Sequence, residues 1–203
     1  MLEVFADVTC PFAHVSLCRL VTRRATVGRE ELPILVRSWP LEIVNGEPFD
    51  AELIDEEIEV LRQSVAPDLF HRFDPAAWPA SSLPALALTA AGYAVAPTVG
   101  EAVALELRDL LFEKGVDVSD PTVLAGVADR HGLSIEAAND HTVVEADLEE
   151  GRGRGVVGSP HYFLDGRDDF CPTLDVSKPE GSLRVQFDPV SFEALSQAAF
   201  PDR

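Results

Sequence analysis

Apolar residues follow two rhythms along this chain, and the switches between them mark out its elements. Leu2, Val4, Phe5 and Ala6 make a short, nearly continuous apolar run, the pattern of a strand buried on both faces. Asp7-Val8-Thr9-Cys10-Pro11 ends that run and opens a helix, with Thr9 or Cys10 at the cap and Pro11 in the first turn. The helix extends to about Ala25, with an apolar stripe of Val15, Cys18, Leu20 (or Leu17) and Val21. Leu32 to Leu41, with Ile34, Leu35, Val36 and Trp39, is a second strand. Strand, helix, strand predicts a βαβ unit with a parallel pair.

From about Asn45 to Gly151 the spacing becomes helical. Leu53, Ile54, Ile58 and Leu61 recur within Asp50 to Val65, and helices follow over Pro84 to Ala94 and Thr98 to Lys114. The next starts at Asp120-Pro121 and stops at Gly132. Ser134 opens a further turn, and Asp140 to Glu150 continues the block. After Gly158-Ser159-Pro160 strands return at His161 to Leu164 and Leu183 to Phe187, separated by a polar turn at Asp165-Gly166-Arg167-Asp168. Asp188-Pro189 starts a closing helix through Phe192, Leu195 and Ala199. The order βαβ, helices, ββα predicts an α/β sheet domain, residues 1–45 and 152–203, interrupted by an all-helical insertion domain, 46–151.

Composition narrows the function. Of 203 residues, 46% are apolar, enough for a core. No apolar run reaches the ~18 residues that span a bilayer. The first residues lack the basic start and apolar stretch of a signal peptide, which predicts a cytoplasmic protein. A net charge of −19 and a pI near 4.4 repel nucleic-acid backbones and anionic membranes, so neither is an expected partner. Three cysteines are too few for a disulfide scaffold, which turns attention to their chemistry.

Cys10 stands where a strand gives way to a helix. Unpaired N–H groups at a helix start favour a thiolate, by about 0.3–1 kcal/mol from the dipole. That predicts a thiol lowered from about 8.5 to roughly 7–8. His14, four residues on, shares a helix face with Cys10 by spacing and is the candidate partner for its proton. Cys18 lies two turns away, about 12 Å by helical rise, too far for a disulfide with Cys10, and reads as core. Cys10 and His14 supply two metal ligands, short of a zinc site.

Gly153-Arg154-Gly155-Val156-Val157-Gly158 matches a dinucleotide fingerprint in letters, but that motif needs a strand before and a helix after. Here a helical segment precedes it and a strand follows. The stretch reads instead as a loop entering that strand through Ser159-Pro160, a place for a cis-proline.

The segments Asp7–His14 and Gly155–Phe163 together resemble the DsbA-like thioredoxin-fold family, which includes cytosolic oxidoreductases, 2-hydroxychromene-2-carboxylate isomerases and kappa-class glutathione transferases. Leu110-Leu111-Phe112-Glu113-Lys114-Gly115, leading to Val118-Ser119-Asp120-Pro121, is similar to that family's helical insertion. The resemblance implies a thioredoxin fold with Cys10 as nucleophile, His14 beside it, and Pro11, Phe12, Ser159 and Pro160 binding a thiol or substrate. It implies no tightly bound cofactor, and glutathione or another low-molecular-weight thiol, or a protein thiol, as partner. The family's second cysteine falls at position 13, where this chain has Ala13, so a monothiol oxidoreductase is the first expectation. Thiol-dependent isomerase or transferase activity and a non-catalytic binding module are the alternatives. Cys171 can replace the missing thiol only if its strand returns to Cys10. Phe12, Trp39 and Phe70 are the aromatic candidates for the cleft wall, and His161 either lines the site or faces solvent.

Overall fold

The computed structural model describes residues 1–201. Strand β1 (Glu3–Ala6) lies inside a four-stranded sheet. It pairs in parallel with β2 (Leu35–Ser38) on one side and antiparallel with β3 (His161–Leu164) on the other. β3 in turn pairs antiparallel with β4 (Arg167–Phe170). Helix α1 (Pro11–Thr26) makes the crossover from β1 to β2. Between β2 and β3 come α2 (Leu41–Asn45), α3 (Ala51–Ser64), α4 (Leu83–Val95), α5 (Pro97–Lys114), α6 (Pro121–His131) and α7 (Thr142–Gly153). A separate hairpin of β5 (Leu174–Ser177) and β6 (Arg184–Phe187) precedes the closing helix α8 (Pro189–Ala199). This is a thioredoxin-like α/β fold with a helical insertion.

Side-chain caps set several helix ends. Asp50, Asp120 and Asp188 each accept hydrogen bonds from the N–H groups of the turn they open. Gly132 closes α6 in the left-handed region, where a glycine carries no Cβ penalty. Ser134 caps a short 3-10 turn, Ile135–Asn139.

Three expectations need correction. The turn after β3 is Asp165-Gly166 alone, both at positive φ, which suits a two-residue hairpin; Arg167 and Asp168 belong to β4. The strand near Leu183 to Phe187 joins β5 and stays out of the main sheet, whose second half is the β3–β4 hairpin. In α3, Ile54, Ile58 and Leu61 are buried, but Leu53 points to solvent at 42% exposure.

The insertion also closes an edge of the sheet. β2 is terminal, so alternate N–H groups lack a strand partner, an arrangement that invites pairing with another chain. Glu101 of α5 accepts from the Ile34 N–H (3.2 Å), the Tyr93 hydroxyl from Val36 (2.9 Å) and Asp147 of α7 from Ser38 (2.9 Å). The Tyr93 hydroxyl donates onward to the Ile34 carbonyl at 2.7 Å. One apolar cluster joins Ile54, Ile58, Leu86, Leu107 and Phe112 of the helices to Val8, Val15, Cys171 and Val185. The helical block and the β1–α1 corner therefore share a core.

Candidate active site

The turn between β1 and α1 is fixed by Asp7, whose carboxylate is fully buried. It accepts from the Thr9 N–H and hydroxyl, both at 2.8 Å, from the Leu41 N–H at 2.6 Å and from the Ser82 hydroxyl at 3.2 Å. Burial pushes its pKa up, against those hydrogen bonds and the nearby Arg108 charge. Arg108, itself buried, donates to the Asp7 carbonyl at 3.1 Å. This scaffold presents Cys10 as the cap residue of α1, in an extended backbone conformation (φ −83°, ψ 112°) with Pro11 next.

From there Cys10 reaches the far end of the chain. Its Sγ donates to the Ser159 carbonyl at 3.2 Å, and the Ser159 hydroxyl accepts from the Asp7 N–H at 3.0 Å. The Ser159–Pro160 peptide bond is cis. Gly158 precedes it because the Phe170 ring lies against its Cα; a Cβ there would sit 2.6 Å from the ring. His161 braces the same loop from below. It is buried, its Nδ1 accepts from the Val157 N–H at 3.2 Å, and its Nε2 lies 3.2 Å from Asp168. So it neither lines the cavity nor faces solvent.

Cys10 is 2% exposed and faces a cavity of about 300 Å³. Pro11, Phe12, Leu41, Phe49, Ile54, Phe170 and Val176 make its apolar wall; Asn45, Glu57, Ser159 and Cys171 are its other lining residues. Cys10, Pro11, Phe12 and Ser159 thus converge on one space, with Pro160 directly behind Ser159. Trp39 and Phe70 do not line it. Trp39 packs on Phe5 and Gly151, and Phe70 on Phe112 and His14.

Two further expectations fail here. Burial pushes the Cys10 thiol up to about 11, aided by the charges of Asp7 and Glu57 and opposed by hydrogen bonds from Ser159 and the Ala13 amide. Desolvation outweighs the helix start, so the thiolate is a small minority near neutral pH. His14 does not pair with Cys10. Its Nε2 meets Glu113 Oε1 at 2.8 Å, its ring packs against both Phe70 and Phe112, and Cys18 Sγ lies 3.8 Å away. The i, i+4 rule needs both residues in the helix, and Cys10 sits outside it. Among the described residues no cluster of three or more His, Cys, Asp and Glu could hold a metal ion, and no helix is long and apolar enough to cross a membrane.

The sequence reading missed Asp7, Arg108 and Glu57. An aspartate three residues before a capping cysteine is a legible signal; Arg108 and Glu57 reach the site only through the folded insertion.

A cysteine capping the helix after the first strand, opposite a cis-proline that opens a later antiparallel strand, defines a thioredoxin-fold protein with a helical insertion. Residues 1–184 match the model of the DSBA-like thioredoxin domain, and the chain belongs to that family. Solved structures share the fold. A probable DsbA oxidoreductase from Streptomyces coelicolor aligns over 100% of this chain and 90% of its own, at 17% identity and a TM-score of 0.61. A 2-hydroxychromene-2-carboxylate isomerase aligns over 83% and 87%, at 14% identity and a TM-score of 0.57. The cytosolic disulfide reductase DsbM from Pseudomonas aeruginosa aligns over 96% and 95%, at 15% identity and a TM-score of 0.55. No curated protein sequence matches the chain.

Proposed function

We propose that this protein is a thiol–disulfide oxidoreductase that reduces disulfides through Cys10. The observation that carries the reading is the Cys10 Sγ held 3.2 Å from the Ser159 carbonyl at the wall of an apolar cavity. A disulfide entering that cavity meets a sulfur and, beside it, a backbone edge able to align an extended chain. Attack by Cys10 forms a mixed disulfide and expels the other half as a thiolate.

The raised thiol favours the reducing direction. A thiol near 11 is a poor leaving group once bonded to sulfur and a strong nucleophile once ionised, whereas strong oxidants stabilise their reduced thiolate. A reducing compartment, the cytoplasm, suits such a cycle. Glutathione or another low-molecular-weight thiol returns the enzyme to its reduced form, and the substrate is a small or protein disulfide. Ala13 leaves the first turn of α1 without a releasing thiol, so release comes from elsewhere.

Intact-mass measurement after incubation with 2-hydroxyethyl disulfide tests the reading. Oxidation is expected in the wild type and lost in Cys10→Ser. Equal oxidation of both, or of neither, sinks it.

A further inference from the structure

We propose that Cys171 is the resolving thiol of this protein, attacking the Cys10 mixed disulfide to form a Cys10–Cys171 disulfide. The inference rests on the reading of Cys10 as nucleophile and adds a second catalytic residue to it.

The topology carries it. β4 runs antiparallel to β3 with Phe170 opposite His161, so the residue after β4 comes back to the proline that opens β3. There the Cys171 N–H donates to the Pro160 carbonyl at 2.9 Å. Cys10 Sγ is bonded to the carbonyl of the residue just before, Ser159. Both cysteines are free, both are buried, and both line the same cavity.

Two more observations point the same way. Cys171 has φ +45°, a conformation uncommon outside glycine, asparagine and aspartate, which turns the chain off β4 toward β5. Burial raises the Cys171 thiol to about 12, and the next largest contribution is the negative charge of Cys10. Cys18, by contrast, is raised by Glu113 and Asp109 after burial, with no contribution from Cys10.

The cycle balances as follows. The Cys10 thiolate attacks the substrate RS–SR′, forming Cys10–S–SR and releasing R′S⁻, which takes up the Cys10 proton. The Cys171 thiolate attacks the Cys10 sulfur, the Cys10–SR bond breaks, and RS⁻ leaves with the Cys171 proton. Substrate gains two electrons and two protons; the protein loses them and holds one disulfide. Two equivalents of a low-molecular-weight thiol restore the dithiol by the same exchange, leaving as their own disulfide. Closure requires the two Cα atoms to come within about 7 Å. The turn from Cys171 to Thr173 joins the β3–β4 hairpin to the β5–β6 hairpin.

The test uses the full chain carrying Cys18→Ser, which removes the one cysteine outside the pair. Treated with 2-hydroxyethyl disulfide, it is expected to lose two hydrogens by intact mass and to carry no adduct. Digestion without reductant yields a Cys10 peptide joined to a Cys171 peptide. Adding Cys171→Ala, or Cys171→Ser, traps the hydroxyethylthio adduct on Cys10 and lengthens its life at least about tenfold. A stable adduct on Cys10 while Cys171 is present overturns the resolving role and leaves the nucleophile reading standing. No adduct and no cross-link in either chain overturns both. The cross-link is scored in a chain that retains both cysteines, so misfolding of a Cys171 variant cannot decide the result.

Discussion

Cys10 caps helix α1 and Cys18 lies within it, eight residues on, and their surroundings differ in kind rather than degree. Burial raises both thiols, Cys10 to about 11 and Cys18 to about 12. Each borders open space, and the groove beside Cys18, at about 530 Å³, is the larger. Acidity and room therefore do not single out Cys10. What does is the backbone it faces. As a cap residue it leaves the helical conformation and meets a carbonyl from the opposite end of the chain. Cys18 sits inside the helix, beside the His14 ring and the charge of Glu113. The difference lies in what the sulfur meets: a backbone carbonyl from a distant segment for Cys10, and the His14 ring of its own helix for Cys18.

The largest expected effect breaks the pair apart directly. Cys10→Ser abolishes mixed-disulfide formation, while Cys18→Ser leaves its rate within about twofold, since a helix-interior thiol off the cavity contributes no step. Both rates come from quenched samples weighed intact. Substantial labelling of Cys18 in the Cys10→Ser chain, at a rate like the wild type, would erase the distinction.

The surroundings of Cys18 should matter to stability. Glu113 accepts from the Phe70 N–H with both oxygens at 2.9 Å, at a residue of positive φ, and also holds His14. Glu113→Ala strands a buried donor and is expected to cost about 1–3 kcal/mol in urea unfolding. The pH profile of Cys10 alkylation should not move. A displaced profile would mean that His14 and Glu113 do reach the cavity.

That profile is itself a sharper test. Because the Cys10 thiol is raised above the ordinary cysteine value, its thiolate is scarcer at every pH below about 11. Iodoacetamide labelling should climb about tenfold per pH unit from 7 to 10 without levelling. Levelling near pH 8 would restore the helix start as the dominant influence.

The same contrast explains what was legible in the sequence. Asp50, Asp120, Gly132 and Asp188 announce helix ends through local chemistry, and the helices stand where those residues put them. Cys10-Pro11 and Ser159-Pro160 were legible because proline restricts the backbone locally. β4 was not: Arg-Asp-Asp-Phe at a sheet edge is exposed throughout and has no apolar alternation to read. His14 was misplaced because periodicity was extended one residue past the true start of the helix. The acidity of Cys10 was misjudged because its burial, beside a cavity lined also by Phe49, Ile54 and Phe170, depends on tertiary packing.

The smallest effect concerns the charge inside the cavity. Glu57 projects from α3 into the wall near Cys10, where burial raises its own pKa and Lys178, at 4.0 Å, opposes that rise. Its negative charge is one of the influences holding the Cys10 thiol up, behind burial and Asp7. Glu57→Gln keeps the shape and removes the charge, so the thiolate becomes less costly and labelling at pH 8 should rise roughly threefold. Added salt should narrow the gain little, because a charge inside a cavity is screened less than one on the surface. Cys18, beside Glu113 and Asp109, should label at an unchanged rate in the same sample, an internal control for any general loosening. If both thiols speed up together, the substitution has opened the helix packing and the cavity charge has no special hold on Cys10. If Cys10 alone responds, the carboxylate of α3 tunes a sulfur that α1 presents, and the helical insertion acts on the site as well as covering it.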